Sequence, residues 1–274
     1  MTTATWADAG RLDALARLDE LARLDTPVHR VDARAKVVVT LAFIAVVMSF
    51  PRHVLSALTP FALFPVLTLA LGRIPARTVA RKVLVALPFA LAVGIFNPLF
   101  DRQPMLAVGP WLVSGGWVSF ASLLARFCLT VSAALALVAC TGMDRLALGL
   151  GQLGVPRAFV VQLLFFHRYL HVVADEAGRA LRAASLRADG RRALGPRAYG
   201  PLVGHLLLRS LDRAGRVHRA MLARGFDGEV RVRQPSSFGA TDAVFVAAWL
   251  ACFAVARAWN LAELLGRLLA GGTP

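Results

Sequence analysis

His167 and His171 stand four residues apart, so on a helix both rings share one face, and Asp175 follows one turn further along it. That is formally the geometry of a divalent-metal site. Arginines crowd the same stretch and oppose a cation, so the sequence favours hydrogen-bonded histidines over a ligand pair. No other grouping promises bond chemistry. There is no Gly-x-x-x-x-Gly-Lys-Ser or Thr phosphate loop, and Gly149-Leu-Gly151-Gln-Leu-Gly154 does not follow a strand. No serine, cysteine or paired carboxylate stands in a catalytic setting. The expectation is no catalytic residue, no metal ligand and no cofactor.

The residues built for binding are arginines. Fourteen fall between Arg168 and Arg233, with no lysine among them. A guanidinium is permanently charged and presents a planar fork to carboxylates or carbonyls, which lysine cannot do. Within the segment Arg182-Ala-Ala-Ser-Leu186-Arg187-Ala188 is echoed thirty-seven residues later by Arg219-Ala-Met-Leu-Ala223-Arg224-Gly225. Two helix ends, each closing on an arginine and a small residue, predict two similar docking points for something soluble.

The rest of the chain holds this segment at a membrane. Hydrophobic residues make up 57% of the sequence and the mean hydropathy is +0.62, well above a soluble domain. The net charge of +15 sits in loops beside apolar runs, which makes it an orientation signal rather than a nucleic-acid surface. Cys128, Cys140 and Cys252 lie within apolar runs and read as small hydrophobes. No cleavable signal is expected at the N-terminus.

A bilayer core about 30 Å thick takes roughly 17 to 25 helical residues, which selects runs near 36–50, 53–72, 83–100, 117–141 and 240–257. The first two form a tight hairpin around Pro51. Arg30, Arg34 and Lys36 before the first span, and Arg73, Arg77, Arg81 and Lys82 after the second, put both segments in the cytosol. The loop from Asp101 to Gly116 is then external, and the last span carries the C-terminus out, with Arg257 and Arg267 on the outer side against the charge rule. The apolar part of 156–174 is too short for a sixth crossing. Arg126 escapes the cost of burial if its helix starts near Ala125, and Asn97-Pro98 frames a kink, a subunit contact or a turn at a helix end.

The expected fold is therefore all-α and polytopic, with about five transmembrane helices and a cytosolic helical segment. Its parts are an amphipathic N-terminal segment (1–35), helices one to four (36–141), cytosolic coupling helices (142–235), and the last span with a tail (236–274). The N-terminal Arg-Leu-Asp repeats at Arg11, Arg17 and Arg23 suit a helix lying on membrane lipid.

At this point the residues resemble a known family. Asp25-Thr-Pro-Val-His29-Arg30-Val31-Asp32-Ala-Arg34-Ala-Lys36 is similar to the motif before the first span of the T components of energy-coupling factor importers. Arg168-Tyr169 with Asp175-Glu176, and Ala220-Met-Leu-Ala-Arg224-Gly225-Phe226-Asp227-Gly228, look like the CbiQ-type branch, which serves cobalt uptake. The resemblance implies a non-catalytic subunit of the cytoplasmic (inner) membrane, N-terminus inside. It implies partners as well: two ABC ATPase subunits, which take Leu186, Arg187, Ala188 and Ala223, Arg224, Gly225, and a CbiM-like substrate-binding membrane subunit that captures the metal. The first motif has Leu and Ala where the family often has Ala and Gly. A T component for nickel or a vitamin, or a membrane-embedded enzyme, are the alternatives.

Overall fold

The computed structural model describes residues 21–22, 24–51, 56–100, 104–108, 111–187, 196–228 and 238–258. The described residues fall into two compact units, one made of those from 21 to 142 and from 238 onward, the other of those from 143 to 228. The chain is an all-α polytopic membrane protein, and its first unit holds the apolar helices. These are α1 (Ala33–Met48), α2 (Leu63–Leu71, entered through a 3-10 turn from Ser56), α3 (Ala76–Gly94), α4 (Gly115–Thr141) and, at the far end of the sequence, a helix over Ala240–Ala258.

Ala76–Pro98, Gly115–Thr141 and Ala240–Ala258 are long and apolar enough to cross a membrane, and Ala57–Leu71 is a shorter apolar helix. Val85, Phe89 and Val93 recur every fourth residue on α3 and are exposed, a stripe suited to lipid. The helix begins seven residues before the expected start near 83, because nothing breaks the charged turn Ala76–Lys82 and it simply continues the helix. At its other end the chain turns at Ile95 and a short helix over Phe96–Phe100 carries Asn97-Pro98, so that pair follows a turn at the helix end. The predicted external loop carries a two-stranded antiparallel hairpin, β1 (Pro104–Val108) and β2 (Trp111–Ser114), with Leu106 opposite Val113. These two strands are too short for alternation to have revealed them.

Aromatic rings fill the core. Phe43 of α1 lies 4.7 Å from Phe64 of α2 and 5.5 Å from Phe253 of the last apolar helix, ring centre to ring centre. Trp249 stacks edge-on against Phe64 at 4.8 Å. Offset and edge-on contacts match each ring's positive edge to another's negative face, and in lipid such packing holds helices together where the hydrophobic effect between them is weak. Arg257 sets its guanidinium 4.5 Å over the Phe50 ring, so this arginine is held by a cation–π contact at the helix end. Arg267 lies outside the described residues.

Arg126 corrects one expectation. Its helix does not start near Ala125; α4 runs unbroken from Gly115, since no proline or glycine interrupts the chain after Gly116. The charge is accommodated instead by Nη2 donating to the carbonyl oxygen of Pro51, beyond the end of α1, at 2.6 Å.

The segment Asp25–Lys36 is a clasp. Arg30 closes a two-pronged bond on Asp25 at 2.8 and 2.9 Å, and this guanidinium holds the Asp25 carboxyl below its ordinary value. That pair is intact at neutral pH and is lost only as pH falls below the ordinary carboxylate range. Behind it, buried Thr26 and His29 share a hydrogen bond of 2.7 Å, Asp32 caps α1 through the Arg34 backbone N–H, and the buried Lys36 Nζ donates to the carbonyl of Cys140 at the C-terminal end of α4. Gly72 completes the clasp: a Cβ there would sit 2.8 Å from the Thr68 carbonyl oxygen and 2.9 Å from the Cys140 sulfur, so only glycine lets the chain past.

Candidate functional site

The second unit is built from the arginine-rich segment. It contains α5 (Met143–Gln152), α6 (Arg157–Arg187) and α7 (Pro196–Leu222). Gly154, in the left-handed region at φ 101°, and Pro156 separate α5 from α6. The apolar stretch within 156–174 is the first part of α6, which is not among the described helices long and apolar enough to cross a membrane. α5 packs on α6, where His167 Nδ1 lies 3.3 Å from Asp144 Oδ1. The His167 and His171 rings stand 5.3 Å apart and nearly perpendicular. Among the described residues no three His, Cys, Asp or Glu side chains gather as a metal site.

α6 and α7 face one another along a groove in which Ala180, Ala183 and Ala184 stand opposite Leu202 and Leu206. Small residues against large ones let two helices approach closely. The fixed point between them is ionic. Glu176 of α6, its side chain 13% exposed, accepts from Arg213 at 2.5 Å on one oxygen and from Arg209 at 3.3 Å on the other. Arg209 and Arg213 are one turn apart on α7, so a single carboxylate takes both. Arg213 is the less exposed of the two, at 34% against 72%, and water screens its bond less.

Both predicted arginine ends lie at the ends of helices. α6 has Arg187 as its last helical residue, with Leu186 beside it 82% exposed. Ala188 lies outside the described residues. α7 ends at Leu222, and Ala223, Arg224 and Gly225 form the turn that stops it. Phe226 N–H donates to the Met221 carbonyl and Gly225 N–H to that of Leu222, with Gly225 at φ 78°. This pair of bonds is the Schellman stop, which demands a residue tolerant of the left-handed region. Arg224 is thereby left exposed at a helix end of fixed geometry. Replacing Gly225 by Ala should strain that turn by about 1–2 kcal/mol. Hydrogen–deuterium exchange should then be faster at the Gly225 and Phe226 amides; unchanged protection would mean the turn is held by other contacts.

The sequence carries more of this repeat than the two helix ends. At the same spacing Asp175-Glu176-Ala177-Gly178-Arg179 matches Asp212-Arg213-Ala214-Gly215-Arg216 at every position but Glu176/Arg213, and Arg182-Ala183 matches Arg219-Ala220. The matched run therefore extends from Asp175 to Arg187 and from Asp212 to Arg224. Self-comparison of the sequence could have found it; the ionic contact it contains could not be read that way.

Apolar helices of membrane length, joined in one chain to an arginine-tipped helical pair, define a polytopic helical membrane protein. The chain belongs to the CbiQ family of cobalt transport proteins, whose family model matches residues 25–235. No curated protein matches it. The matched range spans the clasp, α1 to α4 and the whole of α5 to α7.

Proposed function

We propose that this chain is the transmembrane coupling subunit of an energy-coupling factor importer for cobalt. Two cytosolic ABC ATPases dock on its two arginine ends, Leu186-Arg187-Ala188 and Ala223-Arg224-Gly225, and a CbiM-like membrane subunit captures the ion. The observation that carries the reading is the exposed Arg224, fixed by its Schellman stop at the end of α7 and matched by Arg187 at the end of α6. A rigid helix end seated in a groove transmits rigid-body motion well. ATP-driven closure of the ATPases moves the two ends, and the chain connections at Gly142 and beyond Gly228 carry that motion to the apolar helices. The N-terminus and the α5–α7 unit face the cytosol in this arrangement, and five helices cross the inner membrane.

Mild-detergent purification tests the proposal: two ATPase polypeptides and a further membrane subunit should co-purify with the chain. Recovery of the chain alone, in extracts that preserve other ABC transporters, would overturn it.

The proposal assigns ion capture and hydrolysis to the partners. The isolated subunit should neither hydrolyse ATP nor bind Co²⁺ at micromolar concentration. His167→Ala with His171→Ala should leave uptake within about two-fold of the parent once normalised to protein in the membrane, since losing an exposed histidine–carboxylate contact costs about 1 kcal/mol or less. Micromolar Co²⁺ binding by calorimetry that vanishes in the double variant, with uptake lost, would make the histidines a metal site.

A further inference from the structure

The 37-residue repeat and the contact between α6 and α7 coincide in one place. Glu176 and Arg213 occupy equivalent positions of the repeat, and they are the residues that meet. Two helices that touch at equivalent positions are exchanged by a two-fold rotation through the point of contact. Eleven residues separate Glu176 from Arg187, and eleven separate Arg213 from Arg224. At 1.5 Å per residue each arginine end lies about 16 Å along its own helix from that point. Residues on such an axis face their own counterparts. Two glutamates or two arginines there would repel, whereas this chain keeps Asp, Ala, Gly and Arg alike around the position and makes only the facing pair opposite in charge.

We propose that the Glu176–Arg213 ion pair is the pivot of a pseudo-two-fold pair of helices, and that it sets the Arg187 and Arg224 ends at equal reach for two ATPase subunits that are themselves related by a two-fold axis. This rests on the docking reading above. Glu176 and Arg213 are positioning residues, touching neither ATP nor cobalt. Arg209 supports the carboxylate from the preceding turn of α7, and its counterpart in the repeat is Val172, so it belongs to one half only. The partner this arrangement fits is a symmetric pair of protein grooves, not two unrelated proteins.

The test compares cobalt uptake per ATP hydrolysed in the reconstituted complex for Glu176→Arg, Arg213→Glu, the two together, and Glu176→Gln. Facing like charges at a half-buried contact should lower the ratio by about ten-fold in each single reversal, and the exchanged pair should return to within about three-fold of the parent. Glu176→Gln keeps the shape and loses the charge, and should fall in between. Parental coupling in Glu176→Arg or Glu176→Gln would overturn the pivot, and so would an exchanged pair no better than either reversal. Failure of the pivot is distinguishable from failure of the docking reading. If Arg224→Glu releases the ATPases while the position 176 variants couple normally, only the pivot falls; if Arg224→Glu retains them, the docking reading falls first.

Discussion

Arg224→Glu should release the ATPases from the detergent-extracted subunit while the protein itself inserts and accumulates normally. Arg224 is exposed on the turn that ends α7, so nothing within its own fold depends on it. In the proposed complex its reversal places a carboxylate where an ATPase groove would receive the guanidinium. Truncating one member of a buried charge pair at an interface costs about 2–5 kcal/mol, a weakening of roughly thirty-fold or more. Arg187→Glu should follow in the same direction and less far. The residue after Arg187 is alanine, not the glycine that fixes the Arg224 turn. The two reversals together should abolish cobalt uptake. Pull-down of the ATPases from extracts, with uptake measured in cells at equal membrane levels, checks both parts. Full ATPase recovery with Arg224→Glu sinks the docking reading, and parental uptake with Arg187→Glu makes the repeat a coincidence.

The apolar runs were legible because hydropathy is local. The runs near 36–50, 53–72, 83–100, 117–141 and 240–257 each coincide with a helix, and the errors sit where polar residues continue one. Ala76–Lys82 reads as loop by charge, yet helical hydrogen bonding does not require apolar side chains. Arg126 misled for the converse reason. An arginine in an apolar run invites a later helix start, and its real partner, the Pro51 carbonyl, is 75 residues distant in sequence.

The arginine ends were legible from the 37-residue echo, and Gly225 has a reason in its φ of 78°. The Glu176 contact was hidden because Glu176 and Arg213 break the repeat that surrounds them. A mismatch in a repeat looks like drift until the two positions are found facing each other. The Asp25–Lys36 stretch was similarly opaque. It marks the family by resemblance, but its physical role depends on Cys140 and Asp242, which no local pattern connects to it.

Asp242→Ala should be the most damaging substitution of a residue outside the arginine ends. Asp242 is buried near the start of the last apolar helix and serves two backbone donors at once. Its Oδ2 accepts from Gly239 N–H at 2.9 Å, which closes the first turn of that helix in the manner of a capping box. Its Oδ1 accepts from the buried Asp32 N–H at 2.8 Å, across 210 residues, where the chain turns into α1. One carboxylate therefore fastens the first apolar helix to the last. Alanine leaves both N–H groups without that acceptor, and the unsatisfied buried donor of Asp32 alone costs about 1–3 kcal/mol, with the part-buried Gly239 N–H adding less. A loss of about 2–4 kcal/mol is a large share of the stability that holds such helices together. Asn at this position keeps a carbonyl oxygen and should preserve one of the two bonds, with roughly half the effect. Thermal unfolding in detergent, followed by the amount of protein in the membrane, should rank the parent above Asp242→Asn and that above Asp242→Ala. A melting temperature for Asp242→Ala equal to the parent's would mean that the clasp between Asp32 and the last helix does not hold the unit together.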